Sequence, residues 1–222
     1  MKEYKVIEVK RSIFEDNNAD ADRLRQELRE QKTFLLNLMS SPGAGKTTTL
    51  KRTIEALKGE MKIGVMEADI DSEVDAAAIA KTGVRAIQIH TGGMCHLDAD
   101  MTRQGIKELG TKELDFVLEN VGNLVCPAEF DTGSTKNAMI LSVPEGDDKP
   151  LKYPLMFTIC DVVLVNKCDT LCVFDDFDKD RVKERILDLN PKAEVIFVSA
   201  KTGEGFDGWI EWIRRSVKEY NS

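Results

Sequence analysis

Two groups of residues in this chain have the types and spacing to hold a nucleotide. Ser40-Ser41-Pro42-Gly43-Ala44-Gly45-Lys46-Thr47 combines small residues with a lysine and a hydroxyl. Small residues let consecutive backbone N–H groups wrap around phosphate oxygens, and the start of a helix adds its dipole. The lysine bridges the outer phosphates, and the Thr47 hydroxyl is placed to ligate Mg²⁺. Far downstream, Asn166-Lys167-Cys168-Asp169 follows the apolar run Val162-Val163-Leu164-Val165. A carboxylate at that strand end can accept both N1–H and the N2 amino group of guanine, a donor pair that adenine lacks. Ser199-Ala200-Lys201, also after an apolar strand, stands where a backbone amide meets guanine O6. The candidate nucleotide contacts are Gly43, Ala44, Gly45, Lys46, Thr47, Thr48, Asn166, Lys167, Asp169, Ser199, Ala200 and Lys201. One residue departs from the general phosphate-loop pattern. Ser40 occupies a glycine position, which serine tolerates where the backbone dihedrals are ordinary.

Two acids complete the expected catalytic set with Lys46 and Thr47. Asp69, in Glu67-Ala68-Asp69-Ile70-Asp71 at the end of a strand, is the candidate Mg²⁺ ligand, directly or through water. Glu119, after Phe116-Val117-Leu118, is a second candidate for Mg²⁺ or for orienting the attacking water. No arginine stands out as a stabiliser of transition-state charge, so slow intrinsic hydrolysis is expected.

A third constellation has metal-ligating chemistry. Gly92-Gly93-Met94-Cys95-His96 lies between a strand and a helix, and Cys126-Pro127 lies in the segment after the next strand. Adjacent residues share one metal only from an irregular loop, which the paired glycines permit. A thiol near a helix N-terminus favours the thiolate. Thiolate with imidazole suits Zn²⁺, Ni²⁺ or Cu better than Mg²⁺ or Ca²⁺. Cys95, His96 and Cys126 are three donors where a closed structural site has four, so water or a second copy must complete the coordination. The remaining thiols, Cys160, Cys168 and Cys172, read as incidental reduced cysteines.

The elements that must position these groups alternate. Strand-like runs at 34–39, 62–66, 86–89, 116–118, 138–141, 161–165 and 195–198 are separated by helical patterns at 46–57, 72–81, 97–109, 178–189 and 206–220. Apolar strands alternating with helices predict an α/β fold whose mostly parallel sheet is covered on both faces, as in P-loop NTPases. Residues 1–31 form an N-terminal extension with a short strand at 5–9 and a helix from about Ala19 to Gln31, capped by Asn18 and packed on the G domain of residues 32–222. Asp175-Asp176-Phe177-Asp178-Lys179-Asp180 reads as a solvated loop and helix start. The 222 residues carry a net charge of −8 without a basic patch, which argues against nucleic acid. No apolar run is long enough for a membrane span, and the charged N-terminus does not read as a signal peptide. A cytoplasmic protein is expected.

Taken together, these motifs resemble the hydrogenase-maturation nickel GTPase family, HypB, across residues 12–217. The most specific stretch is Glu119-Asn120-Val121-Gly122-Asn123-Leu124-Val125-Cys126-Pro127, joined by Ser40 to Thr49, Glu67-Ala68-Asp69, His90 to Asp98, Glu145-Gly146-Asp147-Asp148-Lys149-Pro150 and Asn166 to Asp169. The resemblance implies a SIMIBI-type GTPase domain that binds GTP and GDP with Mg²⁺ and helps insert nickel into [NiFe]-hydrogenase. It also implies a GTP-promoted homodimer with Cys95, His96 and Cys126 binding nickel or zinc at the interface. Its implied partners are a HypA-like nickel-delivery protein and the hydrogenase large-subunit precursor. Some members carry an N-terminal cysteine-rich or histidine-rich stretch. Here the first cysteine is Cys95 and the histidines are His90 and His96, so nickel handling is expected at the interior site or through a partner.

Three other readings compete. A urease-type nickel GTPase would place Cys-Pro-His where this chain has Met94-Cys95-His96 and would lack Cys126. A P-loop kinase would lack the Asn-Lys-x-Asp motif. A non-catalytic metal switch would use nucleotide-dependent dimerisation as its output, with hydrolysis only as a reset.

Overall fold

An apolar run makes a central strand only when both faces of its sheet are covered. The strand entering the phosphate loop, Phe34–Ser40 (β2), is buried along its whole length. The computed structural model describes residues 5–8, 14–69, 79–91, 96–110, 113–121 and 129–222. The other strands are β1 (Lys5–Glu8), β3 (Ile63–Asp69), β4 (Arg85–His90), β5 (Phe116–Val121), β6 (Lys136–Ser142), β7 (Val162–Asn166) and β8 (Glu194–Phe197). They form one 8-stranded sheet in the order β1-β4-β3-β5-β2-β6-β7-β8. Every pairing is parallel, which confirms the α/β P-loop architecture expected from the alternation.

Successive side chains on a strand face opposite ways, and β2 divides its residues accordingly. Phe34, Leu36 and Leu38 pack with Leu50, Ile54 and Leu57 of helix α2 (Lys46–Leu57) and with Trp209 and Ile213 of helix α7 (Phe206–Asn221). Trp209 Nε1 also donates to Thr53 Oγ1 at 2.9 Å, joining the two helices. On the opposite face, Leu35 joins Leu24 and Leu28 of α1 (Phe14–Glu30) and Met101 and Ile106 of α3 (Ala99–Leu109). Met39 faces a third cluster with Phe157, Val182 and Ile186, contributed by helices α5 (Pro154–Thr158) and α6 (Lys179–Leu189).

Several boundaries differ from the sequence reading. Helix α1 starts at least as early as Phe14, so Asn18 is inside it. Asn17 is inside as well, buried, with both ends of its amide committed to distant backbone, and this tertiary demand overrides the capping preference of asparagine. Strand β5 runs on through Glu119, Asn120 and Val121, because ladder pairing to β2 and β3 uses backbone groups and does not require apolar side chains. Short helices at Lys149–Lys152 (α4) and Pro154–Thr158 were not expected. Both are too short for periodicity, and their prolines read as breakers although proline suits a first helical turn. Asp98 and Asp178 cap α3 and α6 by accepting from Met101 N and from Asp180 N and Arg181 N. Most of the helix expected over 72–81 lies outside the described residues; Ile79 and Ala80, which are described, are helical.

Candidate functional site

The phosphate loop spans the end of β2 and the start of α2. Gly43 and Gly45 have φ values of 79° and 97°, a region that favours glycine. At Gly45 space forbids a side chain as well, since a Cβ would stand 2.4 Å from Asn166 Nδ2. Ser40 is still a β2 residue, paired with Ile140 in the ladder. Its backbone is extended, which explains why the glycine of the general pattern is dispensable here. Ser41 Oγ donates to the Glu145 carboxylate. Glu145 also accepts from Ser142 N at 2.8 Å and lies 3.8 Å from the Lys149 ammonium. The segment after β6 thus leans on the phosphate loop.

The base-reading residues close on the same loop. Asn166 Nδ2 donates to Ala44 O and Asn166 Oδ1 accepts from Ala200 N, both at 2.9 Å. One side chain therefore ties the phosphate loop to the turn after β8. Lys167 adopts a left-handed conformation with φ 61°, and its ammonium donates to Gly43 O at 2.6 Å. Ser199 Oγ donates to Asp169 Oδ1 at 2.7 Å, which fixes the orientation of the carboxylate and leaves its remaining lone pairs for a base. Arg52 of α2, which the sequence reading passed over, donates to Ala200 O at 2.8 Å and Lys201 O at 3.1 Å. Its only sequence signal was a cation shortly after Lys46, too common a feature to single out.

Sheet register orders the Mg²⁺ candidates. Met39, Val121 and Ala68 share one row across β2, β5 and β3. Asp69 is one residue past that row, level with Ser40 where the chain enters the phosphate loop. Glu119 pairs with Asn37 and Met66, so its backbone lies about 10 Å below the end of β2 at ~3.3 Å per residue. Thr47 stands in the first turn of α2. A hydroxyl and a carboxylate are the hard oxygen donors that Mg²⁺ takes, and the register favours Asp69 over Glu119 as Thr47's partner.

Of the three metal-binding candidates, His96 is the one among the described residues. Cys95 and Cys126 lie outside the described residues. His96 is buried and its ring stacks on Phe130, with centroids 3.6 Å apart and planes 12° from parallel. Phe130 lies four residues after Cys126 in the chain, so this contact ties His96 to the chain just beyond the second candidate segment. Asn17 reinforces it: Oδ1 accepts from Ala99 N at 2.9 Å and Nδ2 donates to Asp131 O at 3.0 Å. These residues are the neighbours in sequence of His96 and Phe130. Strand β5 borders β2, whereas β4 is separated from β2 by β3 and β5, so of the two strands that precede the candidate segments in the chain, β5 is the one beside the strand entering the phosphate loop.

The other thiols behave as incidental groups. Cys160 and Cys168 are buried, and each donates to a backbone carbonyl one turn back. Burial pushes both thiols up, away from the thiolate that binds metal. Among the described residues, no three His, Cys, Asp or Glu side chains gather to hold a metal ion. Also among the described residues, no helix is long and apolar enough to cross a membrane.

Comparison with known proteins agrees with this geometry. The model of the CobW/HypB/UreG nucleotide-binding domain matches residues 34–197. Hydrogenase maturation factor HypB of Rhizobium leguminosarum bv. viciae is 44% identical over 218 residues, covering 98% of this chain and 73% of that protein. The crystal structure of HypB from Helicobacter pylori in complex with nickel superposes with a TM-score of 0.86 at 37% identity, covering 93% of this chain and 98% of that one. HypB from Archaeoglobus fulgidus superposes with a TM-score of 0.85 at 36% identity, over 92% of this chain and 100% of the other.

Proposed function

Because this chain belongs to the HypB family of hydrogenase maturation factors, within the CobW/HypB/UreG group, we propose that it is a slow GTPase and metallochaperone that helps insert nickel into [NiFe]-hydrogenase. The observation that carries the nucleotide half is the continuous set of hydrogen bonds from Ala44 through Asn166 to Ala200, with Lys167 on Gly43 and Ser199 on Asp169. It supports a site in which phosphate and base are held by one preformed frame. Asp169 accepts guanine N1–H and N2–H. The phosphate-loop amides and Lys46 meet the phosphates, Lys46 holding positive charge at the outer oxygens. Thr47 and Asp69 would hold Mg²⁺, whose chemistry there is to neutralise charge on the phosphate oxygens.

Nickel is the cargo, and Cys95, His96 and Cys126 are its proposed donors, with zinc as a competing occupant. The stacking of His96 on Phe130 supports this reading, because it holds one proposed donor against a residue four positions beyond another in the chain. Three donors per chain leave the coordination open, so a second copy of the chain completes it in the GTP state. Leu151, Leu155 and Val173, exposed after β6 and after the base-reading motif, offer apolar surface for such a contact. A HypA-like protein supplies the nickel and the hydrogenase large-subunit precursor receives it, in the cytoplasm. Titration of nickel into apo, GDP-bound and GTP-analogue-bound protein, with the mass of each species measured, tests the proposal. The expected result is a GTP-dependent dimer whose nickel affinity differs from that of the GDP state. Equal affinity in the two states would remove the delivery mechanism, because a ligand cannot shift states it binds equally well.

A further inference from the structure

Arg52 makes no expected contact with phosphate or base, yet it holds the turn that meets the base. Its Nε donates to Ala200 O at 2.8 Å and its Nη2 to Lys201 O at 3.1 Å. The guanidinium lies over the Phe206 ring, 5.7 Å from its centroid. Gly203 of the same turn approaches so closely that a Cβ there would stand 2.6 Å from Arg52 Nη1. A planar fork donating to two successive carbonyls sets the direction of that backbone, which a lysine's single point charge cannot do.

The other groups of the turn are also committed. Ala200 N–H donates to Asn166 Oδ1 at 2.9 Å, Thr202 N–H to Ser199 Oγ at 3.1 Å and Gly203 N–H to Ser199 O at 2.8 Å. Lys201 N–H makes no hydrogen bond among the described residues. It belongs to the same peptide unit as Ala200 C=O, and in a trans peptide the N–H and C=O point in opposite directions. With the carbonyl held toward α2 by Arg52, the Lys201 N–H is aimed away from α2. Ser199, at the start of the turn, is bonded to the Asp169 carboxylate. A guanine whose N1–H meets that carboxylate carries O6 on the adjacent ring carbon.

We propose that Arg52 is a positioning residue for guanine recognition: it orients the Ala200–Lys201 peptide so that Lys201 N–H donates to O6. It thereby links the helix behind the phosphates to the loop that reads the base. The proposal rests on the guanine reading of Asp169.

Three nucleotides separate the two. GDP carries O6, 6-thio-GDP replaces it with a weakly accepting sulfur while keeping N1–H and the amino group, and IDP keeps O6 but lacks the amino group. Their dissociation constants are measured by competition against a fluorescent GDP on wild type, Arg52→Ala and Arg52→Lys. Wild type is expected to prefer GDP over 6-thio-GDP by roughly three- to tenfold, the worth of one hydrogen bond. In Arg52→Ala that preference collapses toward unity, while the preference for GDP over IDP, which reports on Asp169, is retained. Arg52→Lys keeps the cation but not the fork, so it is expected to lose most of the O6 preference too, and it carries the same comparison should Arg52→Ala fold poorly. A merely structural role would weaken all three nucleotides in parallel, so an unchanged GDP to 6-thio-GDP ratio in both variants overturns the proposal. Wild type binding ADP as tightly as GDP would overturn the guanine reading itself, and the Arg52 role with it.

Discussion

The two halves of the sheet build their sites in different ways. On the β2-β6-β7-β8 half, side chains of the motifs brace one another: Asn166 joins Ala44 to Ala200, Lys167 reaches Gly43, and Ser199 orients Asp169. On the β4-β3-β5 half, the described candidate His96 is held by residues outside any motif, Phe130 by stacking and Asn17 through the neighbouring backbone. A nucleotide frame braced by its own readers is preorganised. A metal segment held by a distant helix can be displaced without dismantling its donors.

The largest effect expected from breaking this comparison is at Lys46. Lys46→Ala should lower GTP hydrolysis by roughly 10²–10³-fold, as for loss of one preorganised charge at a transition state, while nickel binding without nucleotide is unchanged. Single-turnover hydrolysis and nickel titration check the two arms. Asp169→Asn should follow, weakening GTP by about 10²-fold, because two hydrogen bonds to a carboxylate are lost. It should improve binding of xanthosine triphosphate, whose C2 oxygen accepts from the new amide. Unchanged GTP affinity in that variant would remove Asp169 as the base reader.

Smaller effects sharpen the contrast. Gly45→Ala must place a Cβ against Asn166 at φ 97°, a strain of about 1–3 kcal/mol. Chemical denaturation should report that loss, and GTP binding should fall with it because phosphate loop and base loop share Asn166. Asn17→Ala leaves the Ala99 N–H and the Asp131 carbonyl without their partner, at a cost of about 1–3 kcal/mol. Nickel affinity should drop severalfold in that variant with GTP affinity unaffected. If GTP affinity falls equally, the two halves are not separable. Phe130→Leu keeps the apolar bulk and removes the stack. It should change nickel affinity least, by about two- to threefold, as for a ring pair at the ~0.5 kcal/mol low end of its range.

Much of the nucleotide half was legible before any coordinates. Gly43, Gly45, Lys46, Thr47 and Asn166 to Asp169 stand at strand ends with spacings set by local geometry. Asn166, Lys167 and Asp169 bond to Ala44, Ala200, Gly43 and Ser199, which belong to the same motifs. The metal half was legible as donors but not as an arrangement. His96 was visible as a ligand type, yet nothing local to it signals Phe130, which stacks on it, or Asn17, which bonds Ala99 N and Asp131 O from a distant part of the chain.

What the linear order of residues determined, then, was the parallel α/β alternation, the apolar strands and the identity of the groups that can touch phosphate, base and metal. Those follow from period, propensity and side-chain chemistry, which act over a few residues. Tertiary structure alone decided that Asn18, expected as a helix cap, lies inside α1. It also decided that β5 extends through Glu119 and sets that acid below the level of Asp69, and that Arg52 faces the carbonyls of Ala200 and Lys201. Each of these depends on strand order and on hydrogen bonds between residues far apart in the chain, and a buried polar group takes whichever partner the packed fold brings within reach.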